Sequence, residues 1–314
     1  MSNIENKQEE LSCKIDAILK IVSYKRVPGF DKESSTVYDY VSNIVRSAIL
    51  HEKAFGDERY KYINKDVVVT VTGPTFEYYK PMKKAIHFGA NTAYRKRSVR
   101  YSALFCQDHA SFGGKLPRSF IYYRGKSCKK YIGNNLNMPM MVNLDKYAVY
   151  NYMSENKFNY LIDIAPLPDF CSVVFSVMSY ALWTHPKRIY LVGADCSSGH
   201  AKITDSKNNT NVSYLIEPWN QMARFISKFY SDIEIISINP IGLKGLFKDV
   251  YTREFLADHP EIDINSVELL EDYQKKTKIK WYRKLFSVSR DENYRFVRFF
   301  GITFNIGKIK NVKK

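Results

Sequence analysis

The sequence predicts an α/β fold: a mostly parallel, Rossmann-like sheet flanked by helices, with an N-terminal helical extension and a C-terminal basic region of helix and β-hairpin. Three observations carry that prediction. After residue 65, short runs rich in β-branched residues alternate with helical stretches, the pattern of parallel strands joined by crossover helices. Several of those runs stop at glycine, asparagine or proline, residues that break a strand. The stretches before residue 65 and after residue 245 lack the alternation.

Residues Ile4 to Ile21 read as a helix, with Leu11, Ile15, Ile18 and Leu19 recurring at one-face spacing. Ser35 to Lys53 reads as a second helix, with Val37, Val41, Ile44, Val45 and Ile49 on one side. Residues 1–64 thus form the helical extension. The core, residues 65–245, opens with Asp66 to Thr72, DVVVTVT, a strand buried on both faces and stopped by Gly73-Pro74. Further strands are expected at Lys84 to Phe88, Ser102 to Gln107, Phe120 to Tyr123 and Asn159 to Ile164. Cys171 to Trp183 is apolar over about a dozen residues and reads as a buried helix. Lys187 to Gly193 is a strand, Glu217 to Tyr230 an amphipathic helix, and Glu234 to Ile238 a strand closed by Asn239-Pro240. In residues 246–314, a polar helical stretch to Lys280 precedes a basic hairpin of Leu285 to Val288 and Phe296 to Ile306.

Hydrophobic residues make up 45% of the 314, enough for a sizeable core and against wholesale disorder. The five cysteines are scattered with no C-x-x-C pair, which argues against a zinc site and fits a reduced compartment. The polar start MSNIENKQEEL is unlike a signal peptide, and no apolar run reaches the ~18 residues of a membrane helix. A cytoplasmic location, peripheral to the inner membrane, is expected. Of the net charge of +16, residues 275–314 carry +11, with thirteen Lys or Arg against Asp291 and Glu292. Such a tail seeks anions, and an anionic membrane surface is its expected partner. Nucleic acid is not expected, because the charge is confined to the tail and no nucleic-acid-binding signature is present.

In an open α/β sheet, ligands bind beyond the carboxyl ends of the strands. That rule nominates four loops. The first is Thr72-Gly73-Pro74-Thr75, where glycine permits close backbone approach to a ligand and proline fixes the turn; strand termination is its other reading. It is not a Walker A or G-x-G-x-x-G loop. The second contains Asn91, able to hold a ribose hydroxyl or base edge, or simply to make a turn. The third is Gln107-Asp108-His109, in which a carboxylate could orient an imidazole base, although neighbours on an extended segment point to opposite faces. The fourth, from Gly193 and Asp195 through Ser197 to His200 and Lys202, combines groups suited to phosphate binding and proton transfer. Two roles are open to Asp195: a ligand contact, or a cap on the loop's amides.

These blocks resemble the family-42 sialyltransferases and related bacterial proteins with a variant Rossmann core. The family's G-x-G-P-S turn is matched by Val71-Thr72-Gly73-Pro74-Thr75, and its C-N-x-x-Y segment by Ala90-Asn91-Thr92-Ala93-Tyr94. Its I-Y-L-x-G-x-D strand is matched by Ile189 to Asp195 with spacing intact, and its final N-P or C-P by Asn239-Pro240. The resemblance covers roughly residues 66 to 245. It implies a nucleotide-sugar-binding core, a glycosyltransferase activity on CMP-sialic acid or a similar acidic sugar, and no metal or other cofactor. Thr72, Asn91 and Gln107 would line the nucleotide, with Ser197 and Lys202 near the phosphate. The chain departs from the family in two ways. Both phosphate-binding tyrosines are absent, and Ser213 to Trp219, where the family carries its base histidine, has none. Glu217, His200, His109 and Asp108 are therefore the candidates for acid–base work.

The C-terminal stretch Arg283-Lys284-Leu285-Phe286-Ser287-Val288, with Asp291-Glu292-Asn293 and Val297 to Ile302, resembles an element of bacterial capsule and lipopolysaccharide glycosyltransferases. The acceptor that this implies is a surface glycan or glycolipid. Self-association into a homo-oligomer is also open to the chain. Two rival readings are a pterin pyrophosphokinase-like enzyme using ATP and magnesium on Asp108 or Asp195, and a catalytically inactive glycan-binding relative.

Overall fold

The computed structural model describes residues 34–107, 116–135, 147–153, 158–204, 210–277, 286–290, 294–299 and 302–308. The expected first helix, and Asp108 and His109, lie outside the described residues. The chain divides into two units, residues 1–267 and 268–314.

In the first unit, helix α1 (Ser34–Phe55) precedes strands β1 (Asp66–Thr70), β2 (Ile86–Ala90) and β3 (Tyr101–Cys106). A short helix α2 (Arg118–Ile121) leads to β4 (Lys129–Asn135), β5 (Ala148–Met153) and β6 (Leu167–Pro168). Helix α3 (Val174–Trp183) and β7 (Arg188–Val192) follow, then α4 (Ile216–Phe229), β8 (Glu234–Ile238), β9 (Lys248–Val250) and α5 (Arg253–Asp258). The nine strands form one parallel sheet in the order β6-β5-β4-β3-β2-β1-β7-β8-β9, an α/β fold with flanking helices.

Two expected strands are corrected. Phe120 to Tyr123 falls on α2 and the turn after it, started by Pro117, whose fixed φ suits the entrance of a helix. Asn159 to Ile164 is irregular chain and a turn, closed by the Ile164 amide on the Leu161 carbonyl at 3.1 Å. The sheet also runs past residue 245, since β9 pairs with β8.

Every residue of α3 is buried, and the helix packs against β1, β2 and β6. Aromatic rings fill the space around it: Phe105 stacks on Tyr131 at 4.4 Å, and Tyr131 on Phe55 of α1 at 5.3 Å. Offset stacking of this kind adds to the area the rings bury. The core also holds an anchored charge. Glu58 is buried and accepts from Tyr180 at 2.7 Å, Lys61 at 3.0 Å and Lys129 at 3.1 Å. Burial alone would raise its carboxyl, but these hydrogen bonds and the Lys129 charge hold it below the ordinary value.

The second unit contains α6 (Leu270–Thr277) and an antiparallel sheet of β10 (Phe286–Arg290), β11 (Tyr294–Phe299) and β12 (Ile302–Lys308). The expected hairpin is thus three-stranded.

Candidate functional site

From β1 the chain moves outward through β2 to β6, then returns to place β7 on the other side of β1. That reversal makes the β1/β7 boundary the topological switch point, where open α/β sheets bind ligands. Two turns meet there. The Gly73 amide donates to the Gly193 carbonyl at 3.0 Å. A Cβ on Gly73 would lie 2.4 Å from that oxygen and 2.5 Å from Asp195 Oδ2, so no side chain fits. Gly193 has φ +71, a left-handed conformation that favours glycine.

Asp195 lines the cavity and bonds across to the β1 turn. Its Oδ2 accepts the Thr75 amide at 2.7 Å and its Oδ1 accepts the Thr75 hydroxyl at 2.5 Å. Burial pushes the carboxyl up to about 6, against the pull of these two bonds. Asp195 therefore staples the β7 turn to the β1 turn, and Thr75 serves that staple while lying outside the adjoining cavity's wall.

The cavity has a volume of about 780 Å³, within the range of small-molecule sites. Thr72, Gly73 and Pro74 from the first loop line it, as do Asn91 and Gln107 from the second and third. Gly193, Asp195, Ser197 and His200 from the fourth complete that set. Asn91 opens a helical turn, Asn91–Arg95, with φ +46. Gln107 is buried and donates to Ser176 of α3 at 3.1 Å. Thr72 Oγ1 and His200 Nδ1 lie 3.0 Å apart, and the Ala201 amide donates to the Thr72 carbonyl at 2.8 Å. The β7 loop is in this way laid across the end of β1.

Two expected site residues fall elsewhere. Lys202 is exposed and off the cavity wall, at the start of the turn Lys202–Thr204. Glu217 is exposed on α4 and off the wall, paired with Arg224 at 3.1 Å, whose hydrogen bond holds its carboxyl below the ordinary value. A base drawn from Glu217 is therefore not supported by placement. The wall also includes residues that sequence reading missed: Arg95, Asp169, Cys171 and Tyr214. Asp169 is buried at the end of β6 and accepts the Cys171 amide at 3.1 Å. Phe170 and Cys171 after it both have positive φ, 43° and 61°, a strained pair of which Cys171 lines the cavity.

Among the described residues, no group of three or more His, Cys, Asp or Glu is arranged to hold a metal ion. Nor is any described helix long and apolar enough to cross a membrane.

No family model matches the chain, and no curated protein sequence matches it. Solved sialyltransferase structures do. The sialyltransferase CstII from Campylobacter jejuni, in complex with the substrate analogue CMP-3FNeuAc, is 17% identical over 65% of this chain and 85% of that one, with a TM-score of 0.34. A Tyr-to-Phe variant of the sialyltransferase CST-II in complex with CMP is 14% identical over 55% and 80%, with a TM-score of 0.34. A Phe-to-Tyr mutant of the alpha-2,3/8-sialyltransferase CstII is 14% identical over 55% and 81%, with a TM-score of 0.31.

Proposed function

We propose that the cavity binds a nucleotide-activated sugar and that the chain is a glycosyltransferase. The observation that carries this reading is the convergence of Thr72, Asn91 and Asp195 on one cavity at the β1/β7 switch point. Gly73 and Gly193 let the β1 and β7 turns close on each other at its edge, which draws those three residues together. CMP-linked sugars are the first donors to test, because the blocks Val71 to Thr75 and Ile189 to Asp195 resemble those of the family-42 sialyltransferases.

In this mechanism His200 is the base. With its proton on Nδ1, the imidazole donates to Thr72 Oγ1 and keeps Nε2 as the acceptor. Nε2 takes the proton of an acceptor hydroxyl. The oxygen then bonds to the anomeric carbon, the bond from that carbon to the donor phosphate breaks, and the electron pair stays on the phosphate. Thr72 fixes the ring in place. The acceptor is a surface glycan or glycolipid, and the basic C-terminal unit serves an anionic membrane surface that presents it.

The test is release of nucleotide from CMP-sialic acid, other CMP-sugars and UDP-sugars, with and without chelator, and from ATP with magnesium as the rival. Turnover of a nucleotide sugar is expected, with kcat lowered roughly 10²- to 10⁴-fold in His200→Asn. Turnover of ATP alone would replace this reading with the pyrophosphokinase one. No release from any donor would leave only the inactive relative.

A further inference from the structure

Arg95 is the only lysine or arginine among the described residues that line the cavity. It ends the turn Asn91–Arg95 that continues β2, and it is half-buried. Its Nη1 donates to the Thr204 carbonyl at 2.6 Å. Thr204 closes the turn Lys202–Thr204, whose preceding residues His200 and Ala201 are bonded to Thr72. The guanidinium therefore belongs to the same frame as the proposed base and the β1 turn.

The neighbouring cations are placed differently. Lys96 donates to the carbonyls of Phe76 and Glu77 at 3.0 and 2.8 Å, and lies over the Phe76 ring. Lys202 is exposed and off the wall. Two carboxylates also line the cavity. Asp195 is turned onto Thr75, and Asp169 accepts from the Cys171 amide.

Resting on the nucleotide-sugar reading, we propose that Arg95 holds and neutralises the donor's phosphate. A guanidinium stays charged throughout the working pH range and matches phosphate oxygens with paired N–H donors. As the bond to the anomeric carbon breaks, the bridging oxygen keeps the electron pair and the phosphate gains a negative charge. An arginine on that phosphate binds it more strongly as the bond breaks than in the ground state, so it acts on kcat as well as on affinity. The contact fills the role left by the two family tyrosines absent from the chain.

The experiment compares wild type, Arg95→Lys and Arg95→Met by titration with cytidine, uridine and guanosine and with their 5′-mono- and diphosphates, at fixed salt. Thermal melting of each ligand-free protein checks its fold. Wild type is expected to prefer a nucleotide over its own nucleoside roughly ten- to hundredfold. In Arg95→Met that preference should collapse to about twofold while nucleoside affinity holds, with Arg95→Lys in between. Retention of the full preference in Arg95→Met overturns the inference. So does equal weakening of nucleoside and nucleotide, which would make Arg95 a brace for Thr204. A wild type that binds none of these ligands refutes the nucleotide-sugar reading itself, and the inference falls with it.

Discussion

His51 is fully buried on α1, and both of its ring nitrogens are engaged. Nδ1 donates to the Ile162 carbonyl at 2.7 Å, and Nε2 accepts the Asn151 amide at 2.7 Å. That pattern requires the neutral ring, because protonating Nε2 would set an N–H against the Asn151 N–H. Burial lowers the pKa to about 4, outweighing the backbone carbonyl contacts that favour the charged form. The unfolded chain, with an ordinary value near 6.5, binds the proton first as pH falls. Stability from this group is therefore complete above about 6.5 and is lost as pH drops toward 4. Between pH 7 and pH 5 the loss should be about 2 kcal/mol, read from urea midpoints. His51→Gln should be less stable at pH 7 and should lack that part of the slope. A wild type and His51→Gln with parallel pH profiles would show that the ring is not held neutral.

At the scale of elements, the β1 and β7 turns act as one device. Gly73, Gly193, Asp195 and Thr75 interlock closely, and a Cβ added at either glycine would meet backbone, at Gly193 the Val71 carbonyl at 2.6 Å. A Cβ at Gly73 meets Gly193 O at 2.4 Å and Asp195 Oδ2 at 2.5 Å, whereas Gly245, with φ +80, has nothing within 4 Å of the same position. Gly245→Ala should cost about 1 kcal/mol, from its left-handed backbone alone. Gly73→Ala should cost roughly 1–3 kcal/mol by overpacking and should also weaken nucleotide binding, which Gly245→Ala should leave intact. Equal effects of the two substitutions on binding would separate the β1 turn from the site. This switch point was legible in the sequence. DVVVTVT and KRIYLVG are β-branched and apolar, and each ends in glycine or a Gly-Pro turn. The far half of the sheet was not. β4 reads KKYIGNN, too polar to suggest a buried strand, yet Asn134 donates to Asn151 of β5 at 2.9 Å and Asn151 to Ser47 of α1 at 3.1 Å. Buried amides that satisfy one another across strands leave no hydrophobic pattern to read. β6 is two residues long, so Asp169 at its end went unnoticed. Arg95 was missed for a different reason: it sits a helical turn beyond Asn91, past the strand end where the loop rule looks.

Over the whole molecule, charge is segregated along the chain: residues 275–314 hold +11 of the +16. A segment of that charge suits the surface of an anionic bilayer, where each Lys or Arg near the surface contributes about 1 kcal/mol. The intact protein should therefore sediment with vesicles containing anionic lipid and not with purely zwitterionic ones. Because that attraction is screened over about 10 Å at 0.1 M salt, binding should fall steeply as salt is raised toward 1 M. Arg295→Glu with Arg298→Glu should reduce binding several-fold while melting of the first unit, followed by near-ultraviolet dichroism, stays unchanged. Sedimentation that ignores lipid charge would sink the proposal. Loss of binding with salt but preference for duplex DNA over vesicles would reassign the basic unit to nucleic acid, since counterion release gives the same salt dependence on either polyanion.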